Sequence, residues 1–292
     1  MEGCEMKISL VTDEISADFE TAVELGVEWG IHDFELRGYD TVRVPNFSGF
    51  QQQRIQEVLQ TYDARLIAIS PGLFKFEHPS RQREHFPVRS IDAALYQRWQ
   101  AAHDQVRVHC EELLPASIEF AGRFGISRII AFSFHRGVLP PGLPPDEVLE
   151  TLERAAGRVG EAGMQLCLEV ENQHWADTGS RSADLVKAIN HPALKVNWDP
   201  GNAFEAGDQP YPAGYEAAKP FVAHVHFKDV SCTDSGGHLY AVNGAIDWQG
   251  QVSALLQDGY QGYISVESHM QPKVSSARAL LNRLRELIKT AG

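Results

Sequence analysis

The chain of 292 residues carries 26 Lys and Arg against 39 Asp and Glu, a formal net charge of −13, and 43% of it is hydrophobic. That length can bury a large core, and the acidic balance argues against a phosphate backbone or an anionic membrane surface as the main partner, since both reward clustered Lys and Arg. No apolar run approaches the roughly 18 to 20 residues that span a bilayer; the opening "MEGCEMKISLVTDE" lacks a basic, then apolar leader, and Cys4, Cys110, Cys167 and Cys232 form no CxxC pair, so a soluble, cytoplasmic protein in a reducing compartment is expected.

In chain order, β-rich runs alternate with helical stretches. The expected strands are "KISLVT" (7–12), "DFELRG" (33–38), "ARLIAIS" (64–70), "SRIIAFSF" (127–134), "MQLCLEVE" (164–171), "LKVNWD" (194–199), "VAHVHFK" (222–228) and "YISVES" (263–268). Several follow a helix that closes on glycine, as in "AVELGVEWG" and "AGRFGISRI". Strict alternation implies parallel strands with right-handed crossovers, and eight such units in this length predict one (β/α)8 TIM barrel over residues 1–292. A doubly wound open sheet is the weaker alternative, because no GxGxxG or GxxxxGK[ST] loop follows any strand.

Two segments exceed a plain connection. The stretch 73–114 opens with the polar, proline-punctuated "LFKFEHPSRQREHFPVRS" (73–90), continues as a helix from Ile91 to Leu114, and Pro115 then starts a further helix through Phe124. Such a segment suits a lid, a subunit contact in a homo-oligomer, or a mere insertion. The second, "DVSCTDSGGHLYAVNGAI" (229–246), is glycine-rich and reads as a movable loop.

Strand parity locates the chemistry. In "MQLCLEVENQH" the residues Leu166, Leu168 and Val170 share one face, and Cys167, Glu169 and Glu171 the other. Val196 and Trp198 likewise oppose Asn197 and Asp199; Val225 and Phe227 oppose His224, His226 and Lys228; Ile264 and Val266 oppose Ser265 and Glu267. With the apolar faces against the outer helices, four consecutive strands aim a carboxylate or imidazole at the barrel axis near their C-terminal ends. Unpaired buried carboxylates are costly and repel one another, and a divalent cation resolves both problems. Glu169, Asp199, His226 and Glu267, spaced by 30, 27 and 41 residues, offer a mixed oxygen and nitrogen shell suited to Mn²⁺, Mg²⁺, Co²⁺ or Zn²⁺. Each residue alone has a plainer reading as a satisfied core or surface group; the set of four on successive strands is what points to a metal.

"CLEVEN", "KVNWDPGNAF", "AHVHFKD" and "ISVES", in this order, resemble the xylose isomerase-like barrel superfamily of sugar phosphate isomerases and epimerases, which includes ketose 3-epimerases, hydroxypyruvate isomerase and inosose dehydratase. The resemblance covers essentially the whole chain and is strongest from residue 120 onward. It implies one divalent metal, commonly Mn²⁺, held by Glu169, Asp199, His226 and Glu267. It prefers Glu169 to Glu171, because the ligand closes the fifth strand about six residues past a glycine, here Gly163, and it prefers His226 to His224. It further implies a small sugar or keto-sugar as partner, with Glu169 and Glu267 as the catalytic acid/base pair that removes and returns a proton through an enediolate.

Asn202 stands where many relatives have a histidine that contacts substrate, and His224, Lys228 and His135 of "SFHRG" are further candidates to hold the substrate. Arg37 is a weaker choice for an anionic group, with structural pairing to Glu35 or to a neighbouring strand as its plainer role. The leading expectation is a metal-dependent isomerase or epimerase. A carbon–oxygen lyase, such as an inosose-type dehydratase or a keto-sugar β-eliminating enzyme, is the alternative. A zinc-cluster nuclease on the same fold needs more inward histidines and a less acidic chain, and a barrel that only binds a ligand has less reason to keep four such residues. The absence of a clear phosphate-binding glycine loop favours an unphosphorylated substrate.

Overall fold

The computed structural model describes residues 6–82 and 93–291. Eight parallel strands, β1 (Lys7–Val11), β2 (Asp33–Leu36), β3 (Arg65–Leu73), β4 (Arg128–Ala131), β5 (Gln165–Glu169), β6 (Leu194–Trp198), β7 (Val222–Phe227) and β8 (Tyr263–Val266), close into a barrel in chain order, with β8 pairing back onto β1. All eight expected strands are present, with ends displaced by three residues at most. The fold class is the predicted (β/α)8 barrel.

The outer helices form for reasons visible in the sequence. Asp146–Glu161, "DEVLETLERAAGRVGE", buries Val148, Thr151, Leu152, Ala155, Ala156 and Val159. That spacing is one face of a 3.6-residue helix, and two acids in its first turn complement the helix dipole. The helix Phe19–Glu28 is capped by Asp18, whose side chain accepts from the Thr21 amide at 2.8 Å. These faces pack on Leu166, Leu168, Val196, Trp198, Val225, Phe227, Ile264 and Val266, the outward residues of β5 to β8, in one continuous core. Burying a side chain such as Leu152 contributes about 1.5–3 kcal/mol. Inside the barrel a separate, small apolar cluster of Ile67, Ala68, Ile130 and Cys167 fills the axis. Cys167 is one inward position below Glu169, so this cluster separates the polar mouth from the opposite end.

Two expectations change. The segment 229–246 is an antiparallel hairpin, Asp229–Cys232 against His238–Ala241, which places Tyr240 over the mouth. Its tip is closed by Thr233, whose amide donates to the Gly237 carbonyl at 2.8 Å while its hydroxyl accepts from the Gly237 amide at 2.9 Å. The helix expected over 91–114 runs Ala93–Val108 and leads through a wider π-turn at His109–Leu113 into the helix Leu114–Arg123, which holds Pro115 in its first turn, within one residue of the expected start. The remainder of that segment, residues 83–92, lies outside the described residues. Among the described residues no helix is long and apolar enough to cross a membrane.

Candidate metal centre

The motif "DPGN" shows how the chain builds this site. Asp199 ends β6 and caps the short helix Pro200–Glu205, its Oδ1 accepting from the Asn202 amide at 2.9 Å, with Pro200 in the first turn where no amide donor is needed. Gly201 lies against the next strand's exit: a Cβ there would fall 2.8 Å from Lys228 Cγ. Only glycine lets the Lys228 side chain pass and reach Asp199. Lys228 is wholly buried, with Nζ 2.8 Å from Asp199 Oδ2 and 3.0 Å from Glu267 Oε2.

Glu169, Asp199, His226 and Glu267 are all buried, and one ligand atom from each lies within 4.8 Å of the others. His226 Nδ1 faces all three carboxylates, 3.6 Å from Glu169 Oε1, 3.7 Å from Asp199 Oδ2 and 3.3 Å from Glu267 Oε2. The four do not share one rung of the sheet. Glu169 pairs with Asn197, and Asp199 is two residues further up; His226 pairs with Ser265, and Glu267 is two further. Side chains from two adjacent layers therefore converge on one point.

Beneath them lies a second polar layer centred on Glu35, which the sequence did not single out. Glu35 Oε2 is 2.9 Å from His224 Nε2 and 3.1 Å from His226 Nε2, and its Oε1 accepts from Ser70 Oγ at 2.8 Å. His224 Nε2 also lies 3.0 Å from Ser265 Oγ, which is 2.5 Å from Ser9 Oγ across the β1/β8 seam. The carboxylate at Nε2 of His226 orients the ring so that Nδ1 faces the three acids. Burial pulls the His226 pKa down, but Glu35, Glu267 and Glu169 outweigh it and raise it well above the usual imidazole range, so Nδ1 carries a proton that a bound cation would displace. Burial alone would push Glu35 up, but His226 and His224 outweigh it and hold the carboxylate well below its usual range.

The rim completes the site. Arg37 reaches three acids: Nε is 2.9 Å from Asp13 Oδ2, Nη1 is 2.7 Å from Glu267 Oε1, and Nη2 bonds Glu14. Of the two structural pairings expected for Arg37, the one with acids of neighbouring strands occurs, while Glu35 is turned to the histidines. His269 bridges Glu14 at 3.1 Å and Glu267 at 3.3 Å; burial pulls its pKa down, but these two carboxylates outweigh it and raise it to about 9. A cavity of about 290 Å³ opens above the cluster, lined among others by Glu169, Asn202, Lys228, Glu267, Arg43, Lys75 and Tyr240.

The two glutamates are poised differently. Burial raises Glu169 above the usual carboxylate range. Burial acts on Glu267 too, but Lys228, His269 and His226 outweigh it and hold that group well below the range.

The expected substrate contacts divide. Lys228 and Asn202 line the cavity. Asn202 faces Glu169, its Nδ2 being 3.3 Å from Glu169 Oε1 and 2.9 Å from the Val170 carbonyl. His224 is fully buried, bonded to Glu35, and is not among the residues that line the cavity. His135 also stands outside the cavity lining, 3.0 Å from Gln173 Oε1 and edge-on to His174, on bridges to Glu77 and His174.

The donor set fits a divalent cation. Three buried carboxylates and an imidazole converge on one point, and Asp199 Oδ2, though 2.8 Å from Lys228 Nζ, takes part in no hydrogen bond. An imidazole nitrogen and carboxylate oxygens suit a metal of intermediate hardness rather than a thiolate-loving one.

Residues 23–287 match the family described as xylose isomerase-like TIM barrel. The chain belongs to that family. A curated member, the 3-dehydroshikimate dehydratase of Bacillus anthracis, is 31% identical over 71 residues, a match spanning 24% of this chain and a quarter of that enzyme. The D-allulose 3-epimerase of Methylomonas sp., solved with D-allulose, superposes with a TM-score of 0.64 at 18% identity, covering 98% of this chain and 94% of that one. A xylose isomerase-like TIM barrel protein of Mycobacterium smegmatis, solved with magnesium, gives 0.66 at 15% identity over the whole of both chains. At these identities the structural likeness speaks for the fold alone.

Proposed function

We propose that this chain is a divalent-metal-dependent isomerase or epimerase of a small sugar or keto-sugar, working by proton removal beside a carbonyl through an enediolate. The observation that carries the reading is the convergence of Glu169, Asp199, His226 and Glu267 at the floor of a closed-ended cavity. These four residues would hold the ion, Mn²⁺ first, with Mg²⁺, Co²⁺ or Zn²⁺ as alternatives. Such an ion polarises carbonyl and hydroxyl oxygens of a substrate and lowers the cost of an enediolate.

The chain's own residues supply the rest. Glu169 and Glu267 form the acid/base pair. Glu169, raised by burial, is the better proton carrier of the two, since a group titrating nearer the working pH both takes and gives a proton readily. Glu267, fixed by Arg37, Lys228 and His269, is the more rigidly held member of the pair. Lys228 stands ready to stabilise negative charge that develops on a substrate oxygen. Tyr240 and Phe132 limit water at the mouth.

Elemental analysis of purified protein and a keto-sugar panel in deuterated water test this reading. The expected result is a divalent metal bound in one equivalent and solvent deuterium on a carbon-bound position of the recovered sugar, with unchanged carbon skeleton. Turnover without any deuterium on carbon overturns it.

A second reading is a dehydratase, which the sequence match to 3-dehydroshikimate dehydratase favours. The same proton removal would then be followed by expulsion of a hydroxyl, with a protonated carboxyl of the site returning a proton to the leaving oxygen. A product lighter by one water distinguishes it from the isomer.

A further inference from the structure

Resting on the reading of this cavity as the substrate site, we propose that the substrate is a carboxylate-bearing molecule, a sugar acid or cyclic keto acid rather than a neutral sugar, and that Arg43 is the residue that recognises its carboxylate. The cavity is lined by five cationic side chains, and four are already matched: Arg37 by Asp13, Glu14 and Glu267, Lys75 by Glu171 at 3.0 Å, Lys228 by Asp199 and Glu267, and His269 by Glu14 and Glu267. Arg43 makes no ion pair with any described residue.

Its position is built rather than loose. Arg43 closes the small hairpin Gly38–Tyr39/Val42–Arg43 that follows β2. Its Nε donates to the Ser70 carbonyl at 2.9 Å, and its guanidinium lies on Gly72, where a Cβ would come within 3.1 Å of Nε. Gly72 has φ +79°, a conformation that glycine adopts without strain, so the backbone leaves the shelf bare. Anchoring at Nε leaves Nη1 and Nη2 without a hydrogen-bond partner among the described residues. Two parallel N–H groups on a fixed plane match a carboxylate in bidentate fashion, a geometry that neither a hydroxyl nor a carbonyl can complete. The unpaired carboxylate of the cavity, Glu205, is beyond ion-pair reach of Arg43; burial raises its pKa, which suits it to bond a substrate hydroxyl.

Calorimetric titration of the metal-loaded protein with D-fructuronate, D-fructose and D-fructose 6-phosphate tests the assignment without relying on turnover. Wild type is expected to bind the uronate at least about tenfold tighter than the neutral sugar, since a charge-assisted bidentate pair outweighs a neutral hydrogen bond. R43Q removes that preference while metal content is retained, and R43K recovers part of it. Equal affinities in wild type, a preference that survives in R43Q, or no binding of the uronate at millimolar concentration overturns the proposal. Tighter binding of the phosphate ester than of the uronate overturns it in favour of a phosphate site. Failure of deuterium to reach carbon while R43Q abolishes the charge preference would sink the reaction chemistry and leave Arg43 standing; the opposite pair of results would do the reverse.

Discussion

The two glutamates that face each other across the cavity come from similar strand ends and have unlike surroundings. Glu267 is gripped by cations on both oxygens: Arg37 and His269 at Oε1, Lys228 and His226 at Oε2. Among the described residues Glu169 has only the amide of Asn202 at 3.3 Å and the more distant His226. Identical side chains thus become a fixed anion on one wall and a readily protonated group on the other. The difference is made by what β7 and β8 bring to one side, and by what β5 lacks.

The comparison can be broken most forcefully at Glu169. E169Q is expected to lower the rate of deuterium wash-in by about 10²–10⁴, measured by mass spectrometry of recovered substrate. In urea unfolding of the metal-free protein its stability should change little. E267Q should remove activity as well, but it also leaves Lys228 and Arg37 short of a counter-charge, a loss of about 3–5 kcal/mol in the same unfolding measurement. Equal stability of the two variants would erase the asymmetry.

Lys228 sharpens the same point. K228M is expected to destabilise the metal-free protein by about 3–5 kcal/mol, and saturating divalent metal should restore much of this, since both cations answer the same carboxylates. A smaller effect belongs to the layer below. E35Q weakens the hold on His226 and should reduce metal affinity about 10- to 100-fold, read by competition with a chelating dye, with the fold intact by circular dichroism. The smallest belongs to Asn202. N202A removes the one amide near Glu169 and should cost about 1 kcal/mol of stability.

The barrel and the four convergent residues were legible because each strand is written locally: outward Val, Leu, Ile and Phe alternate with inward polar groups over five or six residues. Alternation fixes the face but not the neighbour. Glu35 shares its face with Arg37, so a local pair was the natural reading; only closure of the barrel brings it to His226, 191 positions away. Arg43 sits in a two-residue strand, too short for any periodicity to register. The hairpin after β7 did leave a trace, in the glycines of "TDSGGH", yet the polar run around them masked the pairing. His224 carried the same signal as His226 and was separated from the cavity only by depth.

Ser9 and Ser265, 256 residues apart, touch where the first stave meets the last. On one side of that join stand Asp13 and Glu14, on the other Glu267 and His269, and all four clasp Arg37 or one another. The pocket therefore does not exist in any partly assembled chain. An ion that binds there reports that the first and last strands of the barrel have met, and its binding energy favours that most distant contact.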